Sequence, residues 1–268
     1  MNEVKTVLVN NLTKGFDNIM AVSGINFEVY CGECFGLIGP NGAGKSTTIK
    51  MLTTLLPPDD GEAVINGYSI VKNPAGVRGS IGYVPQLLSV DGAMTGYENL
   101  LVFSKLYGLK RKQREERIKR VLDITGLEDA AHRQVKTYSG GMVRRLEIGQ
   151  AILNYPQVLF LDEPTVGLDP VARKTIWKHI EKLRCEQNMT ILLTTHYMEE
   201  AEALCSRIAI MNKGKIAVMG TARELRESTG NPHAGMDDVF AYYAGALESQ
   251  EGDLRDASRT RRTAKRLG

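Results

Sequence analysis

The sequence has no apolar run approaching the ~20 residues that a membrane-crossing helix needs, and its opening MNEVKTVLVNN lacks the apolar core of a secretory leader. The expectation is a chain that is itself soluble. Charge of neither sign prevails: 34 Lys and Arg against 31 Asp and Glu leave a net +3 over 268 residues. That is too little for a global field that would draw in nucleic acid or an anionic membrane, so no nucleic-acid partner is expected. Cysteine is scarce. Cys31 and Cys34 form a Cys-x-x-Cys, and only Cys185 and Cys205 accompany them. Without a second pair at zinc-ribbon spacing, the motif reads as a turn through Gly32 and Glu33 with thiols flanking a strand, and unpaired thiols fit a reducing cytoplasm. No internal repeat is visible.

What is present begins with length enough for one large domain, or for a domain carrying an inserted subdomain. Short β-rich runs come first, TVLVNNL, INFEVY and CFGLIG, separated by the turns TKGFDN and YCGEC. KSTTIKMLTTLL reads as a helix ended by Pro57 and Pro58, and DDGEAVINGYSI as turn, strand, turn, strand. From about 91 to 154 helical patterns take over in GYENLLVFSKLYGL, KQREERIKRVLDITGL and GMVRRLEIGQAILN, which predicts an inserted helical subdomain. After Pro156 the apolar strands QVLFLDEP and TILLTTH alternate with helical PVARKTIWKHIEKLRCEQN and MEEAEALC, and RIAIMNKGKIAVMGT reads as a hairpin. Continuous apolar strands between helices argue for a mostly parallel sheet covered on both faces. Residues 244–268 read as a basic, disordered tail. There Arg255, Arg259, Arg261, Arg262, Lys265 and Arg266 lie among small polar residues, either solvated or in contact with a membrane, RNA or a partner.

The chemistry concentrates at strand ends. Gly39-Pro40-Asn41-Gly42-Ala43-Gly44-Lys45-Ser46-Thr47 lies between a strand and a helix, the context in which G-x-x-x-x-G-K-S/T wraps phosphate. Glycines let backbone N–H groups point inward, Lys45 reaches the β- and γ-phosphates, and Ser46 offers a hard oxygen to Mg²⁺. VLFLDEP ends a buried strand in two carboxylates. Asp162 suits the hydration shell of Mg²⁺, and Glu163 suits the orientation and deprotonation of a water attacking the γ-phosphate. His196 leaves TILLTTH at the equivalent strand-end position and is expected at the γ-phosphate; Gln86 ends the short strand in IGYVPQ as an amide suited to Mg²⁺ or the attacking water. A second anion cradle stands far downstream. In TYSGGMVRRLEIGQ a hydroxyl and two glycines, Ser139-Gly140-Gly141, open a helix whose N-terminus attracts phosphate.

In this order and spacing the residues resemble the nucleotide-binding subunit of ABC transporters over nearly the whole chain to about 243. Gly39 to Thr47 is similar to the Walker A loop, Gln86 to the Q-loop, Ser139-Gly140-Gly141 to the signature, Asp162 and Glu163 to Walker B, Asp169 to the D-loop and His196 to the H-loop. Phe16 stands where the family's aromatic A-loop residue stacks on adenine. The resemblance implies a P-loop NTPase fold, with a mostly parallel core sheet, a small antiparallel β-subdomain and the helical insert. It also implies ATP as substrate with Mg²⁺, and a head-to-tail dimer with a second copy or a paralogue, in which Ser139, Gly140 and Gly141 contact the γ-phosphate held by the partner subunit. One chain would carry two cradles because it serves two sites. Met142 departs from the family's usual Gln and cannot donate its amide hydrogen bonds.

YSGGM, AMTGYENLLVFSKLYGL and MDDVFAYYAG together resemble the daunorubicin-resistance and nodulation branch. That branch implies a separate multi-span permease of the ABC-2 class, peripheral attachment at the cytoplasmic face of the membrane, and export of a drug, lipid or polysaccharide. About 87–107 would receive the permease; Tyr83, Tyr97, Phe103 and Tyr107 read equally as anchors there or as core aromatics. The alternative is a soluble ABC ATPase acting on ribosomes or nucleic acid. Members of that kind carry two cassettes or long coiled-coil insertions, and neither is present. Asn212-Lys213 lacks the Asp that would read guanine, and an intact Glu163 argues against a purely structural subunit.

Overall fold

A computed structural model of the chain describes residues 4–243. Its first two strands are long and antiparallel, β1 (Lys5–Phe16) and β2 (Ile19–Tyr30). Thr13 to Phe16, expected as part of a turn, continue β1; only Asp17 and Asn18 turn, with Asp17 in the left-handed region (φ 49°). The polar, glycine-containing end of β1 stays in register because irregularities around Leu12 absorb its twist.

Strand β3 (Cys34–Ile38) leads through the glycine loop into helix α1 (Lys45–Leu52). The helix stops before the prolines, because Thr54 turns left-handed (φ 62°) and its N–H closes on the Met51 carbonyl. Strands β4 (Asp60–Ile65) and β5 (Tyr68–Ser69) complete a four-stranded antiparallel sheet in the order β2-β1-β4-β5. A short helix not expected from the sequence, α2 (Pro74–Ser80), is capped by Asn73 and feeds β6 (Ile81–Val84).

The expected helices of the 91–154 segment are α3 (Gly96–Leu106), α4 (Arg111–Thr125) and α5 (Gly140–Ile152). Thr95 starts α3 with a full capping box to Glu98, and Ser139 caps α5. Then follow β7 (Val158–Asp162), α6 (Pro170–Gln187), β8 (Thr190–Thr195), α7 (Met198–Leu204), β9 (Arg207–Asn212), β10 (Lys215–Gly220) and α8 (Ala222–Ser228), with a last helical stretch at 236–243. The tail predicted for 244–268 lies outside the described residues.

The second sheet has the order β10-β9-β3-β8-β7-β6 and is parallel throughout except for β10. Its central strands β3, β7 and β8 are buried along their whole length because both faces are covered. Along β7, Val158 and Phe160 face a core shared with the antiparallel sheet and α1, while Leu159 and Leu161 face a core built with α3 to α6. Tyr97, Phe103 and Tyr107 pack half-buried on the helical core, and Tyr83 packs on the other. The parallel strands β3, β8, β7 and β6 end together, which brings four chain-distant segments to one edge.

Candidate functional site

At that edge the loop 39–47 turns from β3 into α1. A Cβ on Gly39 would lie 2.2 Å from the Met211 carbonyl oxygen; Gly44 (φ +105°) would place one 2.3 Å from that of Ala21, so neither position tolerates a side chain. Lys45 is buried. Its Nζ donates to the carbonyls of Gly39 (2.8 Å) and Pro40 (3.1 Å) and lies 3.3 Å from Glu163 Oε1. Ser46 Oγ donates to Asp162 Oδ1 at 3.0 Å, and Thr194 Oγ1 donates to the same oxygen at 2.5 Å. A hydroxyl and a carboxylate in contact form a donor set that fits a hard divalent ion such as Mg²⁺.

Glu163 is the hub. It follows β7 with φ 50°, a left-handed conformation uncommon outside glycine, and its N–H donates to the Thr194 carbonyl and hydroxyl, both at 3.1 Å. The neighbouring β8 therefore sets the direction of the carboxylate. Its Oε2 lies 3.1 Å from His196 Nδ1, and Gln86 Nε2 donates to it at 3.5 Å, the outer limit of a hydrogen bond. The sequence pattern places Gln86 at a strand end, but β6 stops at Val84 and Gln86 stands in an exposed bend two residues on. From that bend the neutral amide reaches across to Glu163. Tyr83 lies under the site, and burial, helped by the Asp162 charge, pushes its phenol up to about 12. Phe16, at the exposed end of β1, joins residues 41–47, Gln86 and Glu163 in lining a cleft of ≈430 Å³.

Ser139, Gly141 and Asp169 do not open into that cleft. They line a separate one of ≈220 Å³ between the N-termini of α5 and α6. Ser139 Oγ accepts from the Met142 N–H (3.3 Å), and Gly140 and Gly141 sit close to Leu168 and Ala172, 3.2 and 3.1 Å from where a Cβ would be, so that an added side chain would have to push these neighbours aside. Asp169, expected among the nucleotide contacts, spends one carboxylate oxygen capping α6, accepting from Val171 N and Ala172 N at 2.9 Å each. A larger groove of ≈810 Å³ opens at the opposite edge of the sheet beside Arg120 and Tyr155. It holds none of the converging residues, so chemistry rather than size locates the site. Among the described residues no three His, Cys, Asp or Glu side chains gather as a metal cage, and Cys31 is exposed while Cys34 is buried.

No local pattern marks the residues that support these groups. Glu200 in α7 is fully buried and accepts from Thr165 Oγ1 (2.8 Å) and Trp177 Nε1 (3.0 Å), tying the strand-end loop after Glu163 to α6. Tyr197 lies between the His196 ring (4.2 Å) and the Arg173 guanidinium (4.2 Å). Nothing in MEEAEALC separates buried Glu200 from exposed Glu199.

A glycine loop on a helix N-terminus, with a buried lysine, a hydroxyl against an aspartate, and a glutamate at the next residue, defines a P-loop nucleoside triphosphatase. Residues 22–166 match the ABC transporter family. The chain is 44% identical over 232 residues to a doxorubicin resistance ATP-binding protein of Mycobacterium tuberculosis (strain ATCC 25618 / H37Rv), covering 86% of this chain and 70% of the relative. It is 42% identical over 242 residues to the Nod factor export ATP-binding protein I of Sinorhizobium fredii (strain NBRC 101917 / NGR234), covering 88% and 67%. Among solved structures it is similar to an ATP-binding subunit of an ABC transporter, with TM-score 0.78, 31% identity and coverage of 89% and 99%. It is also similar to a dimeric ATP-binding cassette in a post-hydrolysis state bound to ADP and Pi, with TM-score 0.71, 27% identity and coverage of 81% and 99%. The chain thus belongs to the ABC transporter family as an ATP-binding and ATP-hydrolysing subunit of the daunorubicin-resistance and nodulation type. The soluble ribosome or nucleic-acid alternative is not favoured. Among the described residues no helix is long and apolar enough to cross a membrane.

Proposed function

We propose that this subunit, peripheral on the cytoplasmic face of a membrane, powers a separate multi-span permease of the ABC-2 class and drives export of a drug, lipid or polysaccharide. The observation that supports the reading is that Lys45, Ser46, Gln86 and Glu163 line one cleft, with Asp162 bonded to Ser46 and His196 to Glu163 behind it, while Ser139 and Gly141 open into another. Gly39 to Thr47 hold the phosphates with backbone N–H groups and Lys45, and Phe16 stacks on the adenine. Ser46, Gln86 and, through water, Asp162 would hold Mg²⁺, which when bound offsets the charge of the phosphates. Glu163 orients and deprotonates the attacking water, with His196 at the γ-phosphate and Gln86 beside the water.

Two copies, or this chain and a paralogue, meet head to tail, so that Ser139, Gly140, Gly141 and Asp169 of one complete the nucleotide site of the other. A contact made through the γ-phosphate is lost on hydrolysis, which turns chemistry into opening. The exposed Leu87 and Leu88, 82% and 67% accessible beside Gln86, are the apolar surface offered to the permease. The test is co-purification of the tagged chain from detergent-solubilised membranes with its genomic neighbours expressed. Recovery of a multi-span protein supports the reading; recovery of the chain only in the soluble fraction with ribosomes or nucleic acid overturns it.

A further inference from the structure

Helix α5 carries a buried polar stripe. Arg144, Glu147 and Gln150 follow one another at helical spacing and are only 4%, 2% and 2% exposed. Such groups are costly in an interior unless each finds a partner, and here the partners lie in the chain from Pro85 to Asn99. Arg144 Nη1 donates to the Pro85 carbonyl (2.8 Å) and Nη2 to the Gln86 carbonyl (3.3 Å). Glu147 Oε1 accepts from the Ser89 N–H (2.6 Å) and hydroxyl (3.1 Å), while its Oε2 lies 3.1 Å from Arg144 Nη1. Gln150 donates to Asn99 Oδ1 (3.4 Å), and Asn99 in turn accepts from the Asp91 N–H (2.9 Å).

The bend that carries Gln86, Leu87 and Leu88 is therefore gripped at both ends by one ion pair. Leu87 and Leu88 are exposed, Gln86 reaches Glu163, and the backbone of the bend is fastened to α5. Burial lowers the Arg144 pKa and raises that of Glu147, so the pair sits in a poorly solvated place where an apolar pair would cost less. Packing alone does not account for its chemistry. What the ion pair supplies, and an apolar pair would not, is direction: a guanidinium fork fixed on two successive carbonyls and a carboxylate fixed on the amide three residues later.

We infer that Arg144 and Glu147 are positioning residues, which fasten the bend 85–89 to α5, the helix capped by Ser139, and so hold the Gln86 amide over Glu163. The part of this that concerns turnover rests on the role given to Gln86 under the proposed function.

The decisive variant is Arg144→Met with Glu147→Leu, which removes both charges and keeps the volume. Replacing a buried ion pair in this way is commonly neutral or stabilising, so the protein should fold with an undiminished melting temperature. The expected result is amide exchange at Ser89 faster by about tenfold or more and kcat for ATP lower by about tenfold, with KM changed by less than about threefold. In a Gln86→Ala background the same pair should change kcat by less than about twofold. Should the double variant fold poorly, Glu147→Gln, which loses only the charge, is read in the same assays for faster exchange and for a fall in kcat that vanishes with Gln86→Ala.

Unchanged exchange at Ser89 in the folded variant overturns the inference, whatever Gln86 does. So does a fall in kcat of the same size with and without Gln86. If Gln86→Ala alone leaves kcat unchanged, the role given to Gln86 fails, and the exchange measurement then decides the fastening of the bend separately.

Discussion

Replacing Glu163 by Gln preserves the outline of the side chain and removes its charge. The carboxylate is buried and touches Lys45 at 3.3 Å, His196 at 3.1 Å and Gln86 at 3.5 Å, so little else should move. Lys45 keeps its bonds to the carbonyls of Gly39 and Pro40 and remains available to phosphate. Nucleotide binding should therefore survive, and without a competing carboxylate it should be equal or tighter. The proton acceptor is lost, and general base catalysis is worth roughly 10²–10⁴ in rate, or about 3–5 kcal/mol of barrier. Steady-state phosphate release and equilibrium ATP binding, with a melting curve as the folding control, separate these effects. A folded variant with kcat within about threefold of wild type would refute the assignment of Glu163.

Gly44→Ala must force a side chain against the Ala21 carbonyl at φ +105°, a strain of about 1–3 kcal/mol, and titration calorimetry should show weakened ATP binding. Burial raises the Glu200 carboxyl above its usual range, against opposing hydrogen bonds from Thr195, Thr165 and Trp177. A carboxyl raised in the folded state favours folding below its unfolded pKa, and that contribution is lost as pH rises through the folded value. Glu200→Gln should thus raise the melting temperature at about pH 8, with a gain that shrinks toward about pH 4; a gain that grows on acidification would contradict this. Changing Leu87 and Leu88 together to Ser should alter stability by no more than about 0.5 kcal/mol per site in thermal melts and yet reduce permease recovery in the pull-down.

The site was legible wherever chemistry dictates both residue type and spacing. The loop ending in Lys45 and Ser46, and the apolar strand ending in Asp162 and Glu163, announce themselves because phosphate contact at a strand end leaves few other solutions. His196 was readable only as a polar residue closing a run of core residues. The fold was legible where apolar periodicity is strong, as in β7 and β8, and misread where it is weak. The end of β1 is polar and contains glycine, so its strand character comes from pairing with β2, which no local pattern records. Asp169 caps α6 with one oxygen, a use open to any Asp before a Pro-led helix, and the local pattern does not separate that use from a nucleotide contact made with the other. Arg144, Glu147 and Glu200 were invisible because a buried charge and an exposed one look alike in a helical pattern.

The central claim is that the two anion cradles of one chain serve two different nucleotide sites. The most direct measurement mixes two inactive variants, Lys45→Ala, with its signature intact, and Ser139→Arg, with its glycine loop intact. In a head-to-tail dimer, half of the mixed population is heterodimer and one of its two sites is whole, so ATPase activity should return to about a quarter of wild type. A mixture no more active than the sum of its separate components would show that Lys45 and Ser139 act within one chain or not together at all, and would contradict the account.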